Sequence, residues 1–266
     1  MPVLGLTIDE RDVFWTEEGE PFRAIRAAPK VGGVVRTLAE GRENPTQIIS
    51  HGEFVYWLEN TIRGGVVRAR KDGTGLTRLP LPSPFSFAVN GGVVTSTSLE
   101  TNTVERWSAS SGPERIAWGQ GAPQGIFVQP GATWWVNYSG GQVQRLASDA
   151  TVEETFARST PGVRQVVVDC HAAYWTSDER GGVVRAALLA GGPPVDLACG
   201  PGRIAIDAAY LYLDSYQAVR IPLEGGPPEP MGSGTSYFGR GSATTIEVDE
   251  TAVYWAADGG IMRATK

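Results

Sequence analysis

The stretch from Val166 to Gly192 decides the fold of this chain. It reads Val166-Val167-Val168-Asp169, then Tyr174-Trp175-Thr176, then Val183-Val184-Arg185, and it closes on Gly191-Gly192. Three short apolar runs are separated by polar or glycine-rich turns, which is the pattern of successive β-strands rather than of a helix. The same layout recurs seven times along the 266 residues.

The repeat has three markers that return together about every 40 residues. A polar residue, most often aspartate, precedes an aromatic position by six residues, and an arginine follows in the next apolar run. A period of this length with several short strands per copy is typical of β-propeller blades. The aromatic position holds Trp15, Trp57, Ser96, Trp135, Trp175, Leu213 and Trp255, and the arginines are Arg26, Arg68, Arg106, Arg145, Arg185, Arg220 and Arg263.

The first run of each copy alternates between bulky and small residues. In the first copy Leu6 and Ile8 are bulky, whereas Gly5 and Thr7 are small. A period of two indicates a strand, and no segment shows a convincing helical period. We therefore predict an all-β, seven-bladed β-propeller, with six blades as the alternative. It forms one domain of units at approximately residues 5–44, 45–84, 85–123, 124–163, 164–201, 202–243 and 244–266.

We expect four strands per blade, called A to D in chain order, except in the last blade. The seventh copy reaches strand C at Met262 and leaves no run for strand D. The residues before strand A of the first copy are too few to cross that sheet and still pair with it. The sequence therefore predicts either a three-stranded last blade or that these residues are part of a longer chain. An open strand near Met262 is a candidate dimer contact.

Composition limits the classes of partner. The net charge of −6 argues against a nucleic-acid partner, because phosphate binding needs a basic surface. No apolar run approaches the ~18 residues of a membrane span, and the first residues do not read as a secretory leader. The sequence leaves the compartment open. Lysine occurs only as Lys30, Lys71 and Lys266, which we attribute to coding bias rather than to chemistry.

The run Tyr174-Trp175-Thr176-Ser177-Asp178, followed by Val184-Arg185, resembles the YWTD repeat of lipoprotein-receptor propellers. Weaker copies are Phe14-Trp15-Thr16-Glu17 and Tyr254-Trp255-Ala256. Over nearly the whole chain the pattern is also similar to bacterial TolB-like propellers. The resemblance implies the propeller fold. It carries over no functional residue, because propellers host many unrelated activities. The receptor family has six blades, whereas seven copies are counted here.

The recurring markers are predicted to be structural. The aspartates should cap the turns between strands A and B by accepting backbone N–H bonds. The arginines should bridge neighbouring blades by hydrogen bonds, with those carboxylates as candidate partners. The aromatic pairs should pack in the core or between blades. The four aspartates are Asp9, Asp169, Asp207 and Asp249.

No residue set in the sequence points to a nucleophile or a metal. His51 and His171 lie at A–B turns of different blades, and two such histidines cannot form a zinc site alone. Cys170 and Cys199 fall at opposite ends of a blade, so we predict two free thiols. The glycine pairs do not precede a helix, which a phosphate loop requires. We predict no metal and no cofactor.

Blade geometry predicts one binding face. The B–C and D–A connections emerge at the same end of every blade, and these longer loops are where we expect function. Residues predicted around this mouth are, from strand A, Gln47, Gln165, Arg203 and Glu247, and, from the loops, Tyr138, Asp178, Asp214, Tyr216, Tyr237, Phe238 and Arg240.

The sequence favours a non-catalytic binding or scaffold propeller that recognises a protein or peptide partner through this face. The alternative is a hydrolase or lyase with its site at the channel mouth around Arg203 and Glu247. A second alternative is a carbohydrate-binding lectin with equivalent pockets between blades. An exposed aromatic patch near Tyr237 and Phe238 would favour the first hypothesis. A substrate-like ligand in the channel would favour the second, and several bound sugars per chain the third.

Overall fold

The chain forms a ring of seven small antiparallel sheets in a computed structural model. The structure describes residues 3–19, 23–61, 64–159, 161–179, 182–200, 202–214, 218–231, 246–257 and 260–266. Six sheets have four strands in the order A-B-C-D, and the seventh has three. The prediction of an all-β, seven-bladed propeller with a three-stranded last blade is confirmed.

The strand bounds follow the repeat. The first three blades are β1 (Val3–Ile8), β2 (Asp12–Glu17), β3 (Ala24–Pro29), β4 (Arg36–Ala39); β5 (Pro45–His51), β6 (Phe54–Glu59), β7 (Gly65–Arg70), β8 (Thr77–Arg78); and β9 (Ser86–Asn90), β10 (Val93–Ser98), β11 (Thr103–Ser108), β12 (Gly112–Ala117). The next two are β13 (Pro123–Gln129), β14 (Ala132–Asn137), β15 (Gln142–Ala147), β16 (Glu154–Arg158); and β17 (Val163–Val168), β18 (Ala172–Ser177), β19 (Val183–Leu188), β20 (Val195–Cys199). The last two are β21 (Arg203–Ile206), β22 (Tyr210–Asp214), β23 (Ala218–Pro222), β24 (Glu229–Pro230); and β25 (Ile246–Val248), β26 (Ala252–Ala257), β27 (Gly260–Thr265).

The A strands form the inner wall of the ring. Each contacts the A strand of the next blade, and β1 contacts β25, which closes the circle. In the first blade Val3 pairs with Glu17 and Ile8 with Val13, so strand A begins where strand B ends. The B–C and D–A connections therefore share one side of the disc, the upper face. The A–B and C–D turns share the other side, the lower face.

Aromatic side chains fill the spaces between blades. Trp175 of the fifth blade is fully buried in one cluster with Trp134 of the fourth, and Trp57 of the second blade packs with Phe14 of the first. Burial of each such side chain contributes roughly 1.5–3 kcal/mol. The tryptophans at the repeated aromatic position thus face the preceding blade, whereas Trp134 faces the following one. The prediction that the aromatic pairs pack between blades is confirmed.

Two A strands approach their neighbours too closely for any residue but glycine. A Cβ added to Gly5 would lie 2.3 Å from the carbonyl oxygen of Thr46, and one added to Gly125 would lie 2.5 Å from that of Arg164. Neither glycine has a positive φ, so the constraint is contact between the inner strands rather than backbone conformation.

Aspartates cap the lower-face turns as predicted. Asp9 Oδ1 accepts hydrogen bonds from the backbone N–H groups of Arg11 and Asp12, at 2.8 and 2.7 Å. Three of these aspartates also receive a lysine from a neighbouring blade, and the three lysines are all that the chain contains. The pairs are Lys71–Asp9 at 2.6 Å, Lys30–Asp249 at 2.6 Å and Lys266–Asp207 at 2.5 Å. Attributing the lysines to coding bias alone therefore missed a shared structural role.

The prediction that the repeated arginines bridge blades is wrong for most of them. Arg106 pairs with Glu114, Arg145 with Glu154 and Arg220 with Glu229, in each case within one blade and across strands C and D. Arg185 does reach Ser159 of the preceding blade, but its carboxylate partners belong to its own blade. Strand D lies nearer to these guanidinium groups than the turn aspartates do, so it supplies the acids.

Cys170 and Cys199 are free and exposed, which confirms the two predicted thiols. The described part of the chain holds no helix with the length and apolar character that a membrane crossing requires.

Candidate functional site

Three side chains of the fourth and fifth blades meet on the upper face. Arg164, near the start of β17, contacts Asp178, which follows β18, through Nε at 3.0 and 2.9 Å and through Nη2 at 2.6 Å. The Tyr138 hydroxyl donates to Asp178 Oδ2 at 3.3 Å, and the Arg164 guanidinium lies 4.7 Å from the centre of the Tyr138 ring. The two charged side chains keep 40% and 42% of their surface exposed.

Backbone hydrogen bonds set the position of these loops. The Gly162 N–H donates to the carbonyl of Tyr138, and the Asp178 N–H donates to the carbonyl of Gly162. The B–C connections of the fourth and fifth blades are therefore tied together through the D–A connection between them. The side chains are presented by a supported backbone rather than by free loop tips.

A second pair of charges lies beside this group in the sixth blade. Arg203 and Asp214 stand opposite each other at the upper ends of β21 and β22, and Asp214 is buried. Burial lowers the pKa of Arg203 to about 10, and the positive charge of Arg164 acts in the same direction. The carboxylates of Asp214 and Asp178 oppose this shift. We call Tyr138, Arg164, Asp178, Arg203 and Asp214 the upper-face cluster.

The structure thus brings together four residues that the sequence placed at this mouth, namely Tyr138, Asp178, Arg203 and Asp214. Arg164 was missed. It lies directly before the predicted Gln165, but its counterparts in the repeat are leucine, threonine, phenylalanine, glutamine and glycine, so no marker distinguishes it. The signal that could have found it is an arginine at the start of strand A, facing a loop acid of the same blade.

Gln47 and Gln165 lie on the inner strands, where they join blades. Gln47 Nε2 donates to the carbonyl of Phe87 at 2.7 Å, and its Oε1 accepts from the Phe87 N–H at 3.0 Å. Gln165 makes the same two contacts with Ile204, both at 3.0 Å. Each side-chain amide thus pairs with a backbone peptide of the next blade as another peptide group would. Its donor and acceptor are therefore already used and are not available to a ligand.

Glu247 lies deeper in the ring than the mouth. It pairs with Tyr254 in the middle of the seventh blade, whereas Arg203 is at the upper end of its strand. Burial raises the pKa of Glu247 to about 8. The positive charge of Lys30, on the lower face, lowers this pKa and offsets only part of the effect of burial. Arg203 and Glu247 therefore lie at different heights on the neighbouring inner strands β21 and β25.

The remaining predicted contacts, Tyr216, Tyr237, Phe238 and Arg240, lie outside the described residues. Both histidines lie on the lower face. His51 is the last residue of β5, and His171 lies in the A–B turn of the fifth blade. Within the described ranges, no group of three or more His, Cys, Asp or Glu side chains is arranged to hold a metal ion.

Comparison with known proteins supports the fold. No protein-family model and no curated protein matches the chain. A structure of a nidogen/laminin complex is 20% identical over 71% of this chain and 76% of that chain, with a TM-score of 0.59. A streptogramin B lyase is 13% identical over 98% and 92%, with a TM-score of 0.77. A catalytically inactive virginiamycin B lyase from Staphylococcus aureus with quinupristin is 16% identical over 100% and 95%, with a TM-score of 0.76. At these identities the similarity shows a shared propeller fold and does not extend to an activity.

Proposed function

We propose that this propeller recognises a protein or peptide partner through its upper face, at a contact centred on Tyr138, Arg164 and Asp178. The observation that carries the proposal is the partly exposed arginine held over a tyrosine ring by a carboxylate. Arginine and tyrosine are the residue types that most often dominate the energy of protein interfaces.

The cluster has the preorganisation that binding requires. Arg164 is already fixed by several hydrogen bonds to Asp178 and by a further contact with Gln124 at 3.4 Å. A partner that covers it would therefore immobilise few additional rotamers, which is a main cost of association. The formal charges of the two arginines and the two aspartates cancel, so an uncharged polar or mixed-charge partner surface fits better than a strongly charged one.

The nidogen similarity supports the proposal at the level of the fold. That structure is a complex with laminin, so a propeller of this general shape can serve as a binding module for another protein. The partner of nidogen is not carried over to this chain, because the identity is too low to transfer a site.

The test is a comparison of three variants as bait. Arg164→Ala and Tyr138→Ala should lose the same co-purified proteins that the wild type and Arg145→Ala retain. Arg145 is a matched control, because it is also an exposed arginine paired with a carboxylate, but on the outer part of the fourth blade. Binding of the purified partner should then weaken by about 1–2 kcal/mol or more for the two upper-face variants. Retention of every partner by Arg164→Ala and Tyr138→Ala would refute this site.

A second candidate function is supported by Glu247. A carboxyl group with its pKa raised to about 8 inside the ring is protonated at neutral pH and can act as a general acid. Two of the similar structures are lyases, which agrees with a channel used for chemistry. A panel of lyase and hydrolase substrates tests this idea. Turnover that Glu247→Gln abolishes and Arg164→Ala leaves unchanged would establish it, and absence of turnover would remove it.

A further inference from the structure

The outer strand of the seventh blade lacks a neighbour in the described part of the chain. Strand β27 pairs with β26 on one side only, whereas strand C of every other blade also pairs with a strand D. Met262 and Arg263 are exposed and no residue of β27 is fully buried, whereas β7, β11 and β15 each bury at least three residues. An edge strand with free backbone groups is a template for strand addition.

The other blades show what this edge is built to accept. In the third, fourth and sixth blades the strand C arginine lies directly opposite a glutamate of strand D, with distances of 2.6–2.7 Å. Arg263 occupies the same register, because it lies opposite Tyr254 just as Arg145 lies opposite Trp134. Among the described residues it contacts the Tyr254 hydroxyl at 3.3 Å and pairs with no carboxylate.

A large apolar residue follows each of those glutamates by two positions. Phe156, after Glu154, packs edge-to-face on Trp134 with ring centres 5.0 Å apart. Ile116 follows Glu114 and Met231 follows Glu229 in the same way, and both pack against buried clusters. Strand D of these blades therefore presents one motif, Glu-x-apolar, to the arginine and to the space between neighbouring blades.

No described residue fills the corresponding space at the seventh blade. A cavity of about 360 Å³ lies between the seventh blade and the first, and its wall includes Tyr254, Ile261, Arg263, Val13, Trp15 and Val35. Tyr254 stands where Trp134 stands in the fourth blade, so the cavity is where the apolar residue of the motif would lie.

We propose that β27 binds an extended peptide segment of a partner protein that carries an acidic residue followed two positions later by a large apolar residue. The segment adds as an antiparallel fourth strand. Its acidic side chain pairs with Arg263, and its apolar side chain enters the cavity beside Tyr254. This surface is at the rim of the disc, separate from the upper-face cluster, and the proposal does not depend on the function proposed there.

Charge complementarity favours this occupant over a second copy of the chain. Strand β27, with the sequence Gly-Ile-Met-Arg-Ala-Thr, contains no acidic residue. Two copies joined through β27 would therefore offer Arg263 no carboxylate from the paired strand. A dimer formed through the strand near Met262 is thus an alternative outcome of the test.

The probe is a fluorescently labelled peptide that copies residues 151–159, which contain the Glu-Thr-Phe motif of the fourth blade. We expect saturable binding with one peptide per chain. Arg263→Glu should weaken it at least about tenfold, because a charged hydrogen bond is replaced by repulsion. A peptide with Glu154→Arg should bind the Arg263→Glu protein more tightly than it binds the wild-type protein. The peptide with Phe156→Ser should bind the wild type weakly.

Controls separate this mode from others. Arg158→Glu alters an exposed arginine on the outer strand of another blade and should leave binding unchanged. Alternate amides of an added strand point toward β27 and away from it. N-methylation of the amides that point toward β27 should therefore abolish binding, and N-methylation of the other amides should leave it intact. Absence of binding at millimolar peptide, equal binding by Arg263→Glu, or a dimer that Arg263→Glu dissociates would each overturn the proposal.

Discussion

Lys30 of the first blade donates a hydrogen bond to Asp249 of the seventh blade, with Nζ 2.6 Å from Oδ2. The same lysine lies 5.4 Å from the centre of the Tyr254 ring. Among the described residues, the ring therefore closes through side chains and through contact of β1 with β25 and β26, and the first and last blades share no strand. Burial alone would raise the pKa of Asp249, but the hydrogen bonds from Lys30 and from the turn N–H groups lower it well below its usual range.

The ion pair between Lys30 and Asp249 predicts that the stabilities of the first and seventh blades are coupled. Lys30→Met and Asp249→Asn should each lower the free energy of unfolding by about 1 kcal/mol, as a partly buried ion pair does. In a double-mutant cycle their effects should be less than additive. Hydrogen exchange should rise in β1 and β25 for Lys30→Met. The matched variant Lys71→Met should instead raise hydrogen exchange of the backbone amides where the first and second blades meet. A coupling energy of zero would contradict this role.

Close contact between inner strands predicts intolerance at one glycine. Gly5→Ala should lower the free energy of unfolding by about 1–3 kcal/mol, because its Cβ would overlap the Thr46 carbonyl oxygen. Gly65→Ala is the control, because its Cβ would meet only the Arg78 side chain at 3.6 Å. Chemical denaturation of both variants measures the difference. Equal stability of the two variants would show that the inner strands can move apart.

Much of the fold could be predicted from sequence because the repeat markers report on local pairing. The aspartate before each A–B turn was interpreted correctly, since its partners are the next two or three residues. The arginine partners were not, because they depend on strand register. Arg26 and Arg185 lie opposite the tryptophan position, whereas Arg145 and Arg263 lie opposite the residue before it. Differences in B–C loop length change this register and are not visible in a marker count.

The site was predicted only in part for the same reason. Tyr138 and Asp178 follow strand B, so the repeat places them on the upper face without further information. Gln47 was expected there too, but its amide is used by the neighbouring blade. Whether a polar side chain on strand A faces a ligand or a backbone peptide depends on the spacing of adjacent blades. That spacing is a tertiary property, and sequence alternation does not encode it.

The inner-strand amide predicts a loss of stability rather than of binding. Gln47→Ala should lower the free energy of unfolding by about 1–3 kcal/mol, because it leaves the buried N–H of Phe87 without its acceptor. Gln129→Ala, at the lower end of another A strand, should have little effect. Thermal denaturation and partner binding should be measured on the same samples. A Gln47→Ala protein of normal stability that loses its partner would assign this residue to the binding face instead.

The burial of Glu247 predicts that the stability of the folded protein depends on pH. Its folded pKa of about 8 exceeds the ordinary glutamate value of 4.5, so the folded state favours the protonated form. Stability is therefore lost as pH rises from about 4.5 to about 8 and is constant above that range. Glu247→Gln should be more stable than the wild type above pH 8, by more than about 1 kcal/mol, and equally stable near pH 4. Parallel unfolding curves at all pH values would contradict the burial of this carboxyl.

Photocrosslinking tests most directly whether the partner binds the upper face. A photoreactive phenylalanine analogue placed at Tyr138 should form an adduct with the binding partner. The same analogue at Phe54, at the lower end of β6, should form none. Adducts from position 138 alone are the result predicted here. Adducts from position 54 alone would place the partner on the opposite side of the propeller and contradict the proposed site.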